Sequence, residues 1–398
     1  MLKKTLLAVA TVLLVCASTA RAELQWAGST HTRFRVFEYD DGLNTKNASG
    51  FDMSKQKLRA WDYRGNVLAK ATWENIETYT GLRLSNAAVN DYNLFNNGGD
   101  GTVKLDYAAM KYTLKPLENI SASVTVGRQA TPWFYDKLAQ HSYDTDIRWD
   151  GLHWDLRYSS FGLMMSQFVW GARDRGAMGA SQHTSTEGTN NVATTQSGFS
   201  VLYAFAPYAM VKVADEIDTT LSVTYQSWTN AENLTNTIHG GYNSSTLNPS
   251  ATTGTVNVSN ARVWSVYNQW NLPWSLHAVA EATFNKKTFY TGTTVEADNS
   301  SWMGGLGYGQ LKAPGDFAFD YFYTSKGLAS MVGALSNGGI KPDNKGHLFY
   351  LRYMPLQKVS LAVVSYFLKE KANKDATGAA SPISQKQMQW YFVAGLSF

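Results

Sequence analysis

The residues able to do chemistry in this chain are few and mostly charged. Seven histidines (His31, His141, His153, His183, His239, His277 and His347) are scattered along it, with no pair at the i, i+4 spacing of a zinc-binding helix and no G-x-S-x-G elbow. Neither metal-assisted hydrolysis nor acyl transfer has its constellation, so the expectation is a non-enzyme with no metal and no cofactor. The single cysteine, Cys16, allows no disulfide. What recurs is fixed charge. Arg33 with Arg35, Arg64 with Lys70, and Arg83 and Arg352 lie in segments where polar and apolar residues alternate, so they fall on the polar faces of strands. Asp136, Asp144 and Asp146 crowd into one intervening segment. Fixed charges of this kind break no bonds.

The elements that must hold these charges show a period of two. In the last stretch, Gln387 to Phe398, the residues Met388, Trp390, Phe392, Ala394, Leu396 and Phe398 form one apolar face. In Gln56 to Trp73, Trp61, Tyr63, Gly65, Val67, Ala69, Ala71 and Trp73 face one way and Asp62, Arg64, Asn66, Lys70 and Thr72 the other. Aromatics there bracket small and branched residues, as two interfacial girdles around a lipid band would. Sixteen such segments can be read: 23–40, 56–73, 76–85, 102–114, 120–129, 148–157, 161–172, 197–214, 218–228, 256–271, 275–290, 301–312, 317–326, 345–354, 359–369 and 387–398. Long polar loops alternate strictly with tight turns between them. That rhythm predicts an all-β fold, a transmembrane antiparallel up-and-down β-barrel of about sixteen strands. Segments 104–114, 161–172 and 359–369 break phase and are expected to carry bulges, as is the region of Pro207.

The amino end reads as a signal peptide over residues 1–22: Lys3 and Lys4, an apolar run from Leu6 to Val15, and Ala20-Arg21-Ala22 before a barrel over 23–398. Beyond that run no stretch of about 18 apolar residues occurs, so no helix spans a membrane. Removing Lys3, Lys4 and Arg21 leaves a net charge of about +1, which argues against a nucleic-acid partner. Thirteen Trp, 22 Tyr and 18 Phe beside only nine Pro suit a barrel lipid surface.

A final strand ending in Phe398, with Trp390, Phe392 and Leu396 at alternate positions before it, resembles the C-terminal assembly signal of bacterial outer-membrane β-barrel proteins. The whole-chain rhythm resembles the sixteen-stranded bacterial porins, with no subfamily assigned. The resemblance implies a cell outer-membrane location, lipid around the barrel, folding by the barrel-assembly machinery and possible homotrimers. It also implies passive diffusion of small hydrophilic solutes and ions, since sixteen strands enclose a lumen too wide for wall side chains to close. In that family the third external loop folds into the lumen and faces basic residues on the opposite wall. The matching loop is Ala130 to Ile147, with Thr131-Pro132 as a helix start, a short helix over Trp133 to Gln140, and Asp136, Asp144 and Asp146 as its acidic side. Arg33, Arg35, Arg64, Lys70, Arg83 and Arg352 would form the basic wall. Adding Arg157, Lys212 and Lys287 gives nine inward bases against six acids (Asp62, Glu77, Asp106, Asp155, Glu281 and Asp320), a weak anion preference. Phe37, Tyr39, Phe322 and Tyr350, expected inward, would suit a sugar path or a loop base. The alternatives are a barrel sheath around a partner such as a cytochrome and, less favoured, an outer-membrane hydrolase.

Overall fold

A computed structural model describes residues 23–40, 55–85, 102–143, 145, 148–170, 200–229, 256–257, 261–286, 289–290, 298–327, 330, 344–371 and 386–398. Sixteen antiparallel strands form one closed barrel. They are β1 (Glu23–Asp40), β2 (Lys55–Trp73), β3 (Ile76–Ser85), β4 (Thr102–Leu117), β5 (Ile120–Ala130), β6 (Arg148–Tyr158), β7 (Phe161–Trp170) and β8 (Ser200–Ala214). The second half is β9 (Ile217–Thr229), β10 (Arg262–Leu272), β11 (Leu276–Asn285), β12 (Ser300–Gly309), β13 (Phe317–Lys326), β14 (Asn344–Leu356), β15 (Val359–Glu370) and β16 (Lys386–Ser397). Each strand pairs with the next, and β16 closes on β1 from Ser29↔Ser397 to Asp40↔Lys386. The sixteen-stranded transmembrane architecture expected from the alternation is thus the observed one. The expected signal segment, residues 1–22, lies outside the described residues.

Closure is completed by the last residue. Gly28 and Phe398 exchange two backbone hydrogen bonds of 3.0 Å each, N–H to C=O in both directions. A Cβ on Gly28 would stand 2.3 Å from the Phe398 ring, so the ring lies across the bare glycine.

Alternation places the apolar face outward. Trp26, Trp61, Tyr63, Val67, Trp73, Phe205, Leu221, Trp264, Trp302, Leu306, Phe392 and Leu396 are all exposed, which a water-facing protein of this size would not tolerate as a continuous band. The opposite face turns polar groups such as Arg83, His153, Thr224, Gln226, Glu281 and Asp320 inward, where they are buried.

Three expected irregularities resolve differently. β4 carries a bulge: Leu82 pairs with Leu105 and Gly81 with Tyr107, leaving Asp106 as the extra residue. β7 instead keeps one register with both neighbours from Phe161 to Val169, so the bulge expected there is absent. β15 keeps one register with β16 throughout, while its pairing with β14 shifts between Tyr353 and Leu356, with the extra residue on β14. The phase of β7 and β15 looked broken because inward positions, Met164 and Phe168 on β7 and Val364 and Leu368 on β15, are apolar. Pro207 faces outward with no register shift across it, so its missing N–H costs ladder bonds to β9 without a bulge. The tenth segment also starts later, and the eleventh ends earlier, than expected. Val256–Asn257 and Phe289–Tyr290 leave the barrel and pair with one another as a separate two-residue ladder.

Candidate functional site

The segment between β5 and β6 explains the apolar inward residues. It folds into the barrel and packs against the wall, burying Trp133, Tyr135, Ala139, His141 and Tyr143. Trp133 sits among Trp149, Phe168 and Tyr143, with ring centroids 5.4, 5.9 and 5.6 Å away. Phe134 lies over Tyr208 of β8 at 5.2 Å and stacks on Tyr267 of β10 at 6.2 Å. Further round, Ala139 joins Val279, Met303, Phe322, Leu348 and Tyr350 in one apolar cluster on β11 to β14, with Leu138 packed against it. The loop therefore supplies the apolar cover that these inward side chains need.

Polar anchors fix the same loop at four places. The Asp136 amide donates to Glu281 Oε2 of β11 at 3.1 Å. Tyr350 Oη of β14 donates to the Leu138 carbonyl at 2.8 Å. The two ring nitrogens of His141 contact Thr324 Oγ1 of β13 at 2.8 Å and Ser301 Oγ of β12 at 3.1 Å. Gln226 of β9 donates to the Tyr143 hydroxyl. Burial and the nearby cations Lys326 and Lys371 hold His141 well below the usual histidine range, so it bonds as a neutral imidazole.

The short helix expected over Trp133 to Gln140 is absent. The Thr131 hydroxyl accepts from Trp149 Nε1 at 2.9 Å. The chain instead makes one turn around Asp136, whose Oδ1 accepts from the Leu138 and Ala139 amides at 3.0 and 2.6 Å while its carbonyl accepts from Gln140 N at 3.0 Å. Three successive aromatics, Trp133 to Tyr135, must reach different parts of the wall, and a helix would hold them at fixed 100° steps. Burial pushes the Asp136 carboxyl up to about 6, with the Asp320 charge adding and the two amides opposing.

Charges on the wall occupy two regions. Arg33 and Arg35 of β1, Arg64 and Lys70 of β2 and Arg83 of β3 stand on three neighbouring strands. The Arg33 guanidinium lies over the Tyr391 ring at 4.8 Å, Arg35 is fully buried, and Lys70 pairs with Glu77 at 2.8 Å. Arg83 meets the bulge residue Asp106 at 2.7 Å. Arg148 takes the other Asp106 oxygen at 2.9 Å, donates to the Thr145 carbonyl at 2.8 Å and lies 4.4 Å over the Tyr107 ring, tying the loop exit to β4. Arg352 belongs to the second region. It meets Asp320 Oδ2 at 2.7 Å while His277 Nε2 meets Oδ1 at 2.6 Å, on the β11–β14 wall that also carries the loop. Gly307 makes room for that crossing, since a Cβ there would stand 2.1 Å from His277 Nε2.

Among the remaining expected residues, Asp144, Asp146 and the side chains of Phe37, Tyr39, Asp62 and Lys287 lie outside what is described. Lys212 pairs with Asp215 at 3.2 Å, Arg157 donates to the Ser159 carbonyl at 2.9 Å, and Asp155 accepts from Tyr208 at 2.9 Å. Phe322 and Tyr350 are inward but covered by the loop. Trp390, Phe392, Leu396 and Phe398 share the outward face of β16 and its terminus. Sequence reading missed Arg148 and His141 because a loop-to-wall bond has no spacing signature; Glu281 was read only as a lumen acid.

No family model and no curated protein matches the chain. Solved structures do. OprB of Pseudomonas putida, in a high-pH structure, aligns over 98% of this chain and 96% of its own at 11% identity and a TM-score of 0.51. OmpT of Vibrio cholerae aligns over 96% and 99% at 9% identity and a TM-score of 0.49. A triple mutant of Rhodopseudomonas blastica porin aligns over 94% and 100% at 8% identity and a TM-score of 0.45. With sixteen strands closed on themselves, an outward apolar band and alignment over nearly the whole of both chains at the first of these, this protein has the fold of the bacterial outer-membrane porins.

Proposed function

We propose that the barrel is an outer-membrane channel for passive diffusion of small hydrophilic solutes and ions. The observation that carries this reading is the division of the lumen. An inserted loop is anchored to the wall from β6 round to β14, while the guanidinium groups of β1 to β3 stand on the remaining arc. A wall filled for packing against a partner would not pair its buried acids with its own bases as Asp106 and Asp320 do. Arg33, Arg64 and Lys70 keep part of their surface accessible, and fixed charge beside water orients dipolar solutes and biases ions at no chemical cost. His277 and Asp320 resemble part of a hydrolytic site, but Asp320 divides its oxygens between His277 and Arg352, which fits a structural network.

The test is single-channel current from the refolded chain in a planar bilayer under a salt gradient. Stable conductance steps support the channel. A folded barrel that carries no current overturns it and favours a partner-filled barrel.

A further inference from the structure

β4 carries its extra residue where the loop between β5 and β6 returns to the wall. In an unbroken strand Asp106 and Tyr107 would face opposite sides. The bulge turns both inward: Leu105 before them is exposed on the outer face, Asp106 is buried, and the Tyr107 ring lies under the Arg148 guanidinium at 4.4 Å. Asp106 Oδ2 accepts from Arg148 Nη2 at 2.9 Å, so one guanidinium is held by a carboxylate at its edge and a ring on its face. A planar cation with donors along its edge fits both, which a lysine ammonium would not. Arg83 takes the other carboxylate oxygen at 2.7 Å.

Arg148 opens β6, and more than one side chain depends on its seat. Three bonds brace the top of the β5–β6 hairpin: Arg128 to Asp150 at 2.7 Å, Trp149 Nε1 to Thr131 Oγ1 at 2.9 Å, and Arg148 Nη1 to the Thr145 carbonyl at 2.8 Å. Directly beneath, Gly127 is opposite Gly151. Their φ angles are +112° and +155°, and a Cβ on either would stand 2.2 Å from a neighbouring carbonyl oxygen, that of Ala108 or Gln167. Ala109, opposite Gly127 on β4, adds only a methyl. The braced unit therefore stands on a line of bare backbone, where no side chain fixes its lean into the lumen. Its far side is bonded to β9 and to β11 through β14. On the near side, Arg148 ties it to β4.

We propose that Arg148 is a positioning residue for the waterway: seated between Asp106 and Tyr107, it holds the loop-bearing unit toward β4 and so sets the width of the passage. The proposal rests on the channel reading above. Releasing the near tie leaves the far anchors in place, so the loop settles back toward β6 to β9 and the passage widens along β4.

Polymer exclusion in a planar bilayer tests this: poly(ethylene glycol) of graded mass is added to the refolded full chain, and the mass that no longer lowers the conductance is the cut-off. R148Q and D106N should each raise the cut-off, and R148Q/D106N should raise it no further than either alone, because both break one bond. Y107A should raise it with every charge in place, while Y107F should match wild type. R83Q removes the other arginine from the same carboxylate; it should move the zero-current potential and leave the cut-off alone. An unchanged cut-off in R148Q and D106N overturns the proposal, as does an equal rise in R83Q, which would trace the width to charge. Y107A and Y107F decide it where R148Q does not give the heat-modifiable shift of a closed barrel. Chymotrypsin cleavage after Tyr143, read on the same samples, should be about tenfold faster in R148Q than in R83Q. That difference in barrels without current would remove the channel and leave the latch standing.

Discussion

At Asp136 a carboxylate is bent back on its own backbone, where it accepts from the Leu138 and Ala139 amides. Its carboxyl is raised to about 6 by burial, so the docked loop prefers the protonated form. The sign follows: this contribution to docking is complete below the ordinary carboxylate range and is lost as pH rises through about 6. Current through wild-type channels should therefore fluctuate less at pH 5 than at pH 8. Asp136→Asn keeps an oxygen for the Leu138 and Ala139 amides and should flatten that dependence; an unchanged pH profile would refute the assignment. Gly28 offers a second test at this scale. Gly28→Val would drive a side chain into the Phe398 ring and toward the Asn66 carbonyl, 2.8 Å from the added Cβ. We expect slower barrel closure, read as a delayed heat-modifiable gel shift on refolding, with partial relief in G28V/F398A.

The loop between β5 and β6 is the element on which the inner wall depends. Its aromatics cover Phe168, Trp149 and Tyr267, and its backbone is held by Glu281 and Tyr350. Tyr350 is itself bonded to Tyr366 Oη at 2.7 Å, and Tyr366 packs on Tyr391 at 5.4 Å, so the loop is linked through β14, β15 and β16 to the ring beneath Arg33. Trp133→Ala removes the ring that meets Trp149, Phe168 and Tyr143 and should weaken docking by about 3–5 kcal/mol, the usual cost of emptying a buried aromatic site. The strands do not depend on it. Limited proteolysis should cut near residue 133 in the variant while the barrel band persists; a loop as resistant as wild type would show that the polar anchors suffice. Segments 161–172 and 359–369 teach the same lesson from the wall side: inward apolar residues that looked like broken phase are the loop's seat.

For the whole molecule, two surfaces follow from one alternation, an outer one matched to lipid and an inner one of charge and loop. The basic arc on β1 to β3 and the loop wall from β6 to β14 give the lumen an electrostatic polarity across its width. Arg33→Gln with Arg64→Gln should move the zero-current potential toward cation preference, by roughly a tenth of the ~59 mV limit for a tenfold gradient of a monovalent salt. No movement would mean that those guanidiniums are balanced within the wall and do not face the permeating ions.

The amino-acid order alone determined the strand number, the face each strand turns to lipid and the alternation of long and short connections. Those follow from a local period of two, which the pleated backbone enforces residue by residue. Arg83 and Lys70 could be put on an inward face on that basis. Only the tertiary structure decided that Arg83 and Arg148 share Asp106, that Arg352 joins His277 at Asp320 under the loop, and that residues 133–140 form a turn and not a helix. Each of these joins residues far apart in the chain across a closed curve. The pairing energy lies in the partner, and the partner's identity is set by register and closure, which no single segment carries.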